Sequence, residues 1–102
     1  QVTLLSSQQW MQACNDLGVD LHWTARRANL LIDGINFGPQ DKGKIIQIGA
    51  LRLEITGETD PCKKMEKVSL GLETALRPDW RGGVTCRVLN DAEISIGDTV
   101  SL

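Results

Sequence analysis

Cys62 is the residue whose type and surroundings are best suited to chemistry. It lies in the stretch ITGETDPCKKM, directly after an Asp-Pro pair and before two lysines. A buried structural cysteine usually has apolar neighbours at strand or helix spacing, whereas the immediate neighbours here are charged residues and a proline. Proline is favoured in the first turn of a helix, and Thr59 or Asp60 can cap that turn. The pattern therefore predicts that Cys62 lies at the N-terminal end of a helix.

A cysteine in this position is biased towards its thiolate, which is the nucleophilic and metal-binding form of the side chain. The free backbone N–H groups at a helix start, the positive end of the helix dipole and the adjacent Lys63 and Lys64 all favour the negative charge. Glu58 and Asp60 oppose it. The local residues alone leave an inert surface cysteine as the alternative.

Two other segments are equipped to hold an anion. TARRAN presents Arg26 and Arg27 just before a predicted strand, and DWRGGV places Arg81 beside Gly82 and Gly83. Guanidinium groups and the backbone N–H groups of a glycine-rich turn can together approach a phosphate or a negatively charged cofactor. Solvated arginines and an ordinary turn before a strand are the alternative interpretation.

The other cysteines and the single histidine do not extend this site. Cys14 and Cys86 lie 48 and 24 residues from Cys62, which matches neither a disulfide framework nor a C-x-x-C zinc motif. With His22 alone, a histidine-based triad or a multi-histidine metal site is not expected. His22 is interpreted as a partly buried structural residue.

Composition narrows the range of partners. The 102 residues carry a formal net charge of -2, and their 41% hydrophobic and 24% charged content suits one domain spanning residues 1–102. No long Lys/Arg run offers a surface for nucleic acid or an anionic membrane, so we expect neither as a partner. No apolar run approaches the roughly 20 residues that span a bilayer, and the chain does not start with a signal-peptide pattern. A cytoplasmic location is therefore expected.

The elements that position these residues follow from the hydrophobic pattern. The segment QVTLL is typical of a strand. SSQQWMQACNDLG is typical of a helix that begins at a serine cap, ends at Gly18 and places Cys14 on its apolar face. RRANLLIDGI ends an apolar run in a turn, and KIIQIG and ALRLEIT predict two strands that meet at Gly49.

The second half of the chain combines helix and strand patterns. After Pro61, apolar residues recur at helical spacing, with a break near Gly71. GVTCRVL returns to alternation and places Cys86 in the core, and AEISIGDTVSL predicts two short strands joined at Gly97-Asp98. Many short strands, glycine turns and only two helical segments predict a mainly β fold. We expect a closed or partly closed antiparallel barrel with peripheral helices.

The order of these segments and their amino-acid sequences resemble the MOSC family, the domain named from the C-terminal part of molybdenum cofactor sulfurases. An isolated Arg-Arg-x-Asn or Gly-Gly is common, but the ordered set with Pro61-Cys62 and Arg81-Gly82-Gly83 is specific. The resemblance runs through essentially the whole chain, in the segments QVTLLSSQQW, WTARRANLLIDGINF, GALRLEITGETDPCKKM, ALRPDWRGGVTCRVL and EISIGDTVSL.

The resemblance implies a fold as well. It implies a mainly β, antiparallel barrel-like MOSC fold with helices at its edge, in agreement with the periodicity. Such domains usually begin with a Gly-Asp-containing segment ahead of the strand QVTLL, and this chain starts at Gln1 without it. The comparison with the family therefore implies one of two alternatives, a fragment whose barrel lacks its N-terminal strand and part of its pocket or a reduced version of the fold.

The resemblance also implies roles for individual residues. The characteristic cysteine of the family stands at Cys62, and in related proteins it is thought to carry persulfide sulfur or to bind the molybdenum of the pterin cofactor. Cys62 is thereby expected to be both the catalytic thiolate and the metal ligand. Arginines around the cleft of related proteins hold the anionic parts of the cofactor. The positions that match cofactor-binding positions of the family are Arg27, Asn29, Glu58, Thr59, Arg81, Gly82 and Gly83.

The function implied by the resemblance is that of a sulfur-carrier or molybdenum-cofactor-binding domain. Its cofactor would be molybdopterin, and its partners an anionic pterin-type small molecule or a sulfur-donor protein. The pyridoxal-phosphate (PLP) chemistry of the larger sulfurases belongs to a separate domain, and we expect no PLP in this chain. Two alternatives remain, which are a small molybdoenzyme that reduces N-hydroxylated compounds and a non-catalytic binding module.

Overall fold

Six strands form one curved sheet in the computed structural model, which describes residues 1–102. Their order in the sheet is β2-β1-β5-β4-β3-β6. All neighbouring strands are antiparallel except β1 and β2, which are parallel. The strands are β1 Val2–Ser6, β2 Leu30–Ile32, β3 Ile45–Ile48, β4 Leu51–Glu58, β5 Val84–Val88 and β6 Val100–Ser101.

Three short α-helices lie on one side of the sheet, with three 3₁₀ turns between the elements. The first helix starts where the Ser6 side chain accepts a hydrogen bond from the backbone of Gln9, and it ends at Gly18 with φ 68°. Gly71, with φ 87°, separates the other two helices, as predicted. The helices are α1 Ser7–Leu17, α2 Lys64–Val68 and α3 Leu72–Leu76, and the 3₁₀ turns are Trp23–Arg26, Pro39–Asp41 and Pro78–Trp80. None of the helices is long and apolar enough to cross a membrane.

Strand β1 connects the two hydrophobic cores. Successive side chains of a strand point to opposite faces, so Leu4 and Leu5, both fully buried, enter different clusters. Leu4 packs inside the barrel with residues such as Leu53. Leu5 packs against the helices, beside residues such as Trp10 and Leu76. The sheet therefore carries a core on each face at this strand, and the helices are fixed to its outer side.

The two ends of the sheet approach each other. Strands β2 and β6 both line one mainly apolar cavity of about 470 Å³, to which Ile32 and Val100 contribute. The sheet therefore curves into a nearly closed barrel. The predicted mainly β, barrel-like fold with peripheral helices is confirmed, and the parallel pairing of β1 with β2 is a local departure from the antiparallel prediction.

The C-terminal segment differs from its prediction. Two strands were expected around Gly97-Asp98, but only Val100–Ser101 forms a ladder, with β3. The residues before the turn pair with no strand, and the carboxylate of Asp98 instead accepts a hydrogen bond from the backbone of Ser95 at 2.8 Å. The apolar alternation that suggested a strand arises because Ala92 and Ile94 pack against the barrel core from a loop.

Candidate functional site

Cys62 lines a cavity of about 640 Å³ on the helical side of the sheet, here called the Cys62 cavity. Its walls come from the start of β1, the 3₁₀ turn Trp23–Arg26 with the residues after it, the loop that follows β4, helix α2, and the glycine pair before β5. Part of the wall is apolar, and its apolar residues are Ala25, Ala28, Met65 and Val68.

Four cationic side chains also line this cavity, namely Arg26, Arg27, Lys64 and Lys67, and no Asp or Glu does. None of the four forms an ion pair. The ion pairs of the structure use other cations, which are Lys44, Arg77, Arg81 and Arg87. A chain with a net charge of -2 thus concentrates unpaired positive charge around one thiol. Such a cavity attracts anions.

Arg26 is the buried member of this set, with 8% of its surface exposed. Its Nε donates to the carbonyl of Gly82 at 3.0 Å, and its Nη2 donates to the carbonyls of Thr59 at 2.9 Å and Asp60 at 3.4 Å. Burial lowers the pKa of the Arg26 guanidinium, and the negative charge of the Cys62 thiolate opposes that shift. Arg26 therefore fixes the loop that carries Cys62 to the glycine pair and contributes positive charge to the thiol.

Arg27 follows Arg26 but is exposed, because its backbone is left-handed, with φ 62°. A non-glycine residue in this conformation costs about 1 kcal/mol or more. It ends the 3₁₀ turn, where its backbone N–H donates to the carbonyl of Thr24. The change of backbone direction lets two consecutive arginines reach the same cavity, one from its buried wall and one from its mouth.

Cys62 is exposed, and it precedes helix α2 rather than lying within its first turn. The helix begins at Lys64, its N-cap is Lys63, and neither Thr59 nor Asp60 caps it. The prediction that Cys62 lies at the helix start is thus displaced by two residues. Since α2 has only five residues, its dipole is short, and the cationic side chains that line the cavity add to its positive charge.

Thr59 presents an unpaired polar atom at this site. Its Oγ1 is buried and has no hydrogen-bond partner. Its backbone N–H donates to the carbonyl of Gly83 at 2.9 Å, so the loop after β4 lies directly against the glycine pair. A Cβ added at Gly82 would stand 2.7 Å from the Thr59 carbonyl oxygen, which explains the glycine there. The hydroxyl of Thr59 is therefore a buried polar group without a partner in a residue that lines the cavity.

Two other residues matched to the family stand beside the cavity rather than in it. The Asn29 Oδ1 accepts hydrogen bonds from the backbone and side chain of Thr3 at 2.9 and 3.0 Å, and thereby joins the start of β2 to β1. Glu58 ends β4. Burial raises the pKa of its carboxyl, and a hydrogen bond with Asp60 and the charge of Asp60 act in the same direction.

Arg81 and Gly83 lie outside the cavity and hold neighbouring elements in place. The Arg81 guanidinium forms an ion pair with Asp16 of α1 at 2.6 Å and donates to the carbonyl of Ala75 in α3 at 3.1 Å. Gly83 has φ 101°, and a Cβ at this position would collide with the carbonyl oxygen of Leu4. These residues hold helices and strands together and do not line the Cys62 cavity.

The structure therefore brings four of the predicted site residues together, Cys62, Arg27, Thr59 and Gly82. It adds three that were not matched to cofactor-binding positions of the family, Arg26, Lys64 and Lys67. The Arg-Arg pair and Lys64 were visible signals in the sequence, whereas Lys67 was not singled out. Nothing local indicated which arginine would be buried, because the partners of Arg26 lie 33 and 56 residues further along the chain.

Comparison with protein families decides the classification, since the model of the MOSC domain matches residues 1–101. The chain belongs to the MOSC domain family. This family is associated with the molybdenum cofactor, in agreement with the resemblance of the sequence. A comparison with proteins of curated function gave no match.

Solved structures share the MOSC fold of this chain. YiiM from Geobacillus stearothermophilus aligns with 97% of the chain at 21% identity and a TM-score of 0.78. The YuaD protein from Bacillus subtilis aligns with 98% of it at 20% identity and the same TM-score of 0.78. The chain covers 52% of the YiiM chain and 62% of the YuaD chain, so it spans about half to three fifths of these proteins. At this level of identity the likeness is one of fold.

Proposed function

We propose that this MOSC domain uses the Cys62 thiolate to carry sulfur or to bind the molybdenum cofactor. The observation that supports the proposal is the composition of the Cys62 cavity, which is lined by the thiol and four unpaired cations and by no carboxylate. Positive charge favours the thiolate over the thiol. A thiolate is a soft donor, suited both to sulfur exchange and to a soft metal centre.

The residues of the cavity fit the anionic part of such a cofactor. Arg26 and Arg27, which both line the cavity, can bind a phosphate group. No group of three or more His, Cys, Asp or Glu side chains lies close enough together to hold a metal ion, so Cys62 would be the protein's contribution to a molybdenum centre. When bound, the cofactor would supply a redox-active metal, and the protein would position it and exclude other ligands.

Replacement of the thiol tests the proposal. Cys62→Ser nearly preserves the volume of an exposed side chain but replaces an ionisable sulfur by a hydroxyl that stays protonated at neutral pH. We expect the variant to fold like wild type and to lose bound molybdenum and cyanide-releasable sulfur. Both proteins would be expressed in a host that makes the cofactor, compared by circular dichroism, and assayed for molybdenum and for sulfur released by cyanide.

A second cysteine variant controls for the number of thiols. Cys14→Ala removes a buried thiol of the helical core and leaves the Cys62 cavity intact, so its loading should match wild type. Equal loading of Cys62→Ser and wild type contradicts the proposal. So does a folded wild-type protein that takes up neither molybdenum nor sulfur.

A further inference from the structure

The charge of the Cys62 cavity exceeds what one thiolate balances. Four cations line the cavity and none forms an ion pair. Arg26 is buried without a carboxylate partner, an arrangement that is costly unless an anion compensates it. Its Nε and Nη2 are bound to carbonyls, whereas Nη1 has only the sulfur of Met65 at 4.0 Å. The Nη1 group of Arg26 is therefore a donor without an oxygen partner in a residue that lines the cavity.

We propose that the Cys62 cavity accepts sulfur directly from a small dianionic sulfane donor of the thiosulfate class, which makes the domain a sulfurtransferase. The inference rests on the proposed role of Cys62 as a sulfur carrier, and it adds the chemical class of the donor. The sulfonate oxygens of the donor bind Nη1 of Arg26 and the guanidinium of Arg27, and its outer sulfur lies towards Cys62.

The transfer balances without an oxidant or a reductant. The Cys62 thiolate attacks the outer sulfur of S–SO3²⁻, and a new S–S bond forms as the S–S bond of the donor breaks. The bonding electron pair leaves with sulfite, SO3²⁻, and Cys62 becomes a persulfide anion. The total charge is three negative units before and after the step, and no proton is transferred. This is a nucleophilic displacement of the kind that thiolates perform on disulfides.

The cations of the cavity assist the attack of a thiolate on an anionic donor. A thiolate and a dianion repel each other, so their reaction in water is slowed by the approach of like charges. Unpaired cations around the sulfur offset that repulsion and stabilise the sulfite as it departs. A neutral donor would gain only from the thiolate that the cations favour, since it has no negative charge for them to offset. Because Arg26 is buried, only a donor small enough to enter the cavity can place an anionic group beside it, which favours a small ion over a protein persulfide.

A sulfurtransferase assay with thiosulfate tests the inference. The purified chain is first treated with cyanide to remove any bound sulfur and then incubated with thiosulfate. We expect sulfite and a persulfide on the Cys62 peptide in equal amounts, and thiocyanate when cyanide is added again. Cys62→Ser should give none of these products. Raised salt should slow the wild-type reaction, since it screens attraction to the cavity, whereas it speeds the reaction of free cysteine thiolate with the same anion.

Variants of the cations separate the donor site from the fold. Arg26→Gln should slow the transfer about tenfold or more. If that variant does not fold, the exposed pair Lys64→Gln and Lys67→Gln keeps the test decisive, since it should lower the rate and weaken its dependence on salt. Lys44→Gln removes a cation that is paired with Asp41 outside the cavity, and it should react like wild type.

A parallel assay with a neutral sulfur donor, elemental sulfur, tests the donor class separately from the carrier role of Cys62. If Cys62 takes cyanide-releasable sulfur from elemental sulfur but none from thiosulfate, the donor class is wrong and the carrier role stands. If Cys62 takes sulfur from no donor, a persulfidated protein included, and the chain binds no molybdenum, both proposals are wrong. Loading from a persulfidated protein but not from thiosulfate, or unchanged rates in the lysine variant, would also overturn the inference.

Discussion

The three cysteines of this chain occupy three different environments. Cys62 is exposed beside unpaired cations, Cys14 is buried in the core between the helices and the sheet, and Cys86 is fully buried inside the barrel. Burial in apolar surroundings disfavours the thiolate, whereas neighbouring cations favour it. The same side chain is therefore a packing group at two positions and an accessible group at the third.

Limited alkylation should reveal this difference. We expect iodoacetamide to modify Cys62 of the folded protein well before Cys14 or Cys86, because the reagent needs both access and a thiolate. Peptide mapping by mass spectrometry over a time course measures the order. In denaturant, where all three thiols are exposed, the preference should largely disappear. Modification of a buried cysteine first would show that the placement of the thiols is wrong.

The raised pKa of the buried Cys86 thiol predicts how the free energy of unfolding changes at alkaline pH. Burial raises the pKa of its thiol from 9.0 to about 11. Between these two pH values the folded state retains a proton that the unfolded state has released, so the free energy of unfolding should fall as pH rises from about 9 to 11. Below pH 9 this contribution is fully present. Urea unfolding at several pH values, compared with Cys86→Ala, measures it. The alanine variant should lose less stability over this range, and an identical pH slope in both proteins would contradict the prediction.

At the level of the elements, the sequence predicted the features that depend on neighbouring residues and missed those that depend on distant ones. Helix α1 and the β3–β4 hairpin were predictable because their ends are marked by adjacent residues, a serine cap and Gly18 for the helix and Gly49 for the hairpin. The parallel pairing of β1 with β2 was not, since the choice of neighbour is set by distant parts of the chain. For the same reason the sequence identified Cys62 and the glycine pair but not the role of Arg26.

The glycine pair gives a prediction for the elements around the cavity. Gly82→Ala would place a Cβ 2.7 Å from the Thr59 carbonyl, a backbone atom that cannot rotate away. We expect it to separate the two loops that Arg26 joins and to destabilise the fold by about 1–3 kcal/mol. Gly57→Ala is the matched control, because the nearest atom to its Cβ would be 4.0 Å away. Urea unfolding compares them, and equal midpoints would show that the loops can move apart freely.

For the whole molecule, the distribution of charge separates the functional surface from the rest. The chain has 13 acidic and 11 basic residues, yet four of the basic ones line a single cavity that has no acidic residue. The remaining surface is accordingly more acidic than the net charge indicates. Such an asymmetry attracts small anions towards one place and repels them elsewhere. The sequence showed the net charge, but the clustering depends on the fold, which brings Arg26 and Lys64 together from opposite halves of the chain.

The order of strands in the sheet has a consequence for the newly made chain. Strand β1 lies between β2 and β5, and the Nε of Arg26 donates to the carbonyl of Gly82, 56 residues further along the chain. Contacts between such distant residues form late in folding, since long loops must close first. During synthesis on the ribosome, Cys62 therefore emerges before its loop can be fixed to the glycine pair. Until that happens Cys62 is a thiol without its cavity, and the cations that line the cavity surround it only once the barrel has assembled.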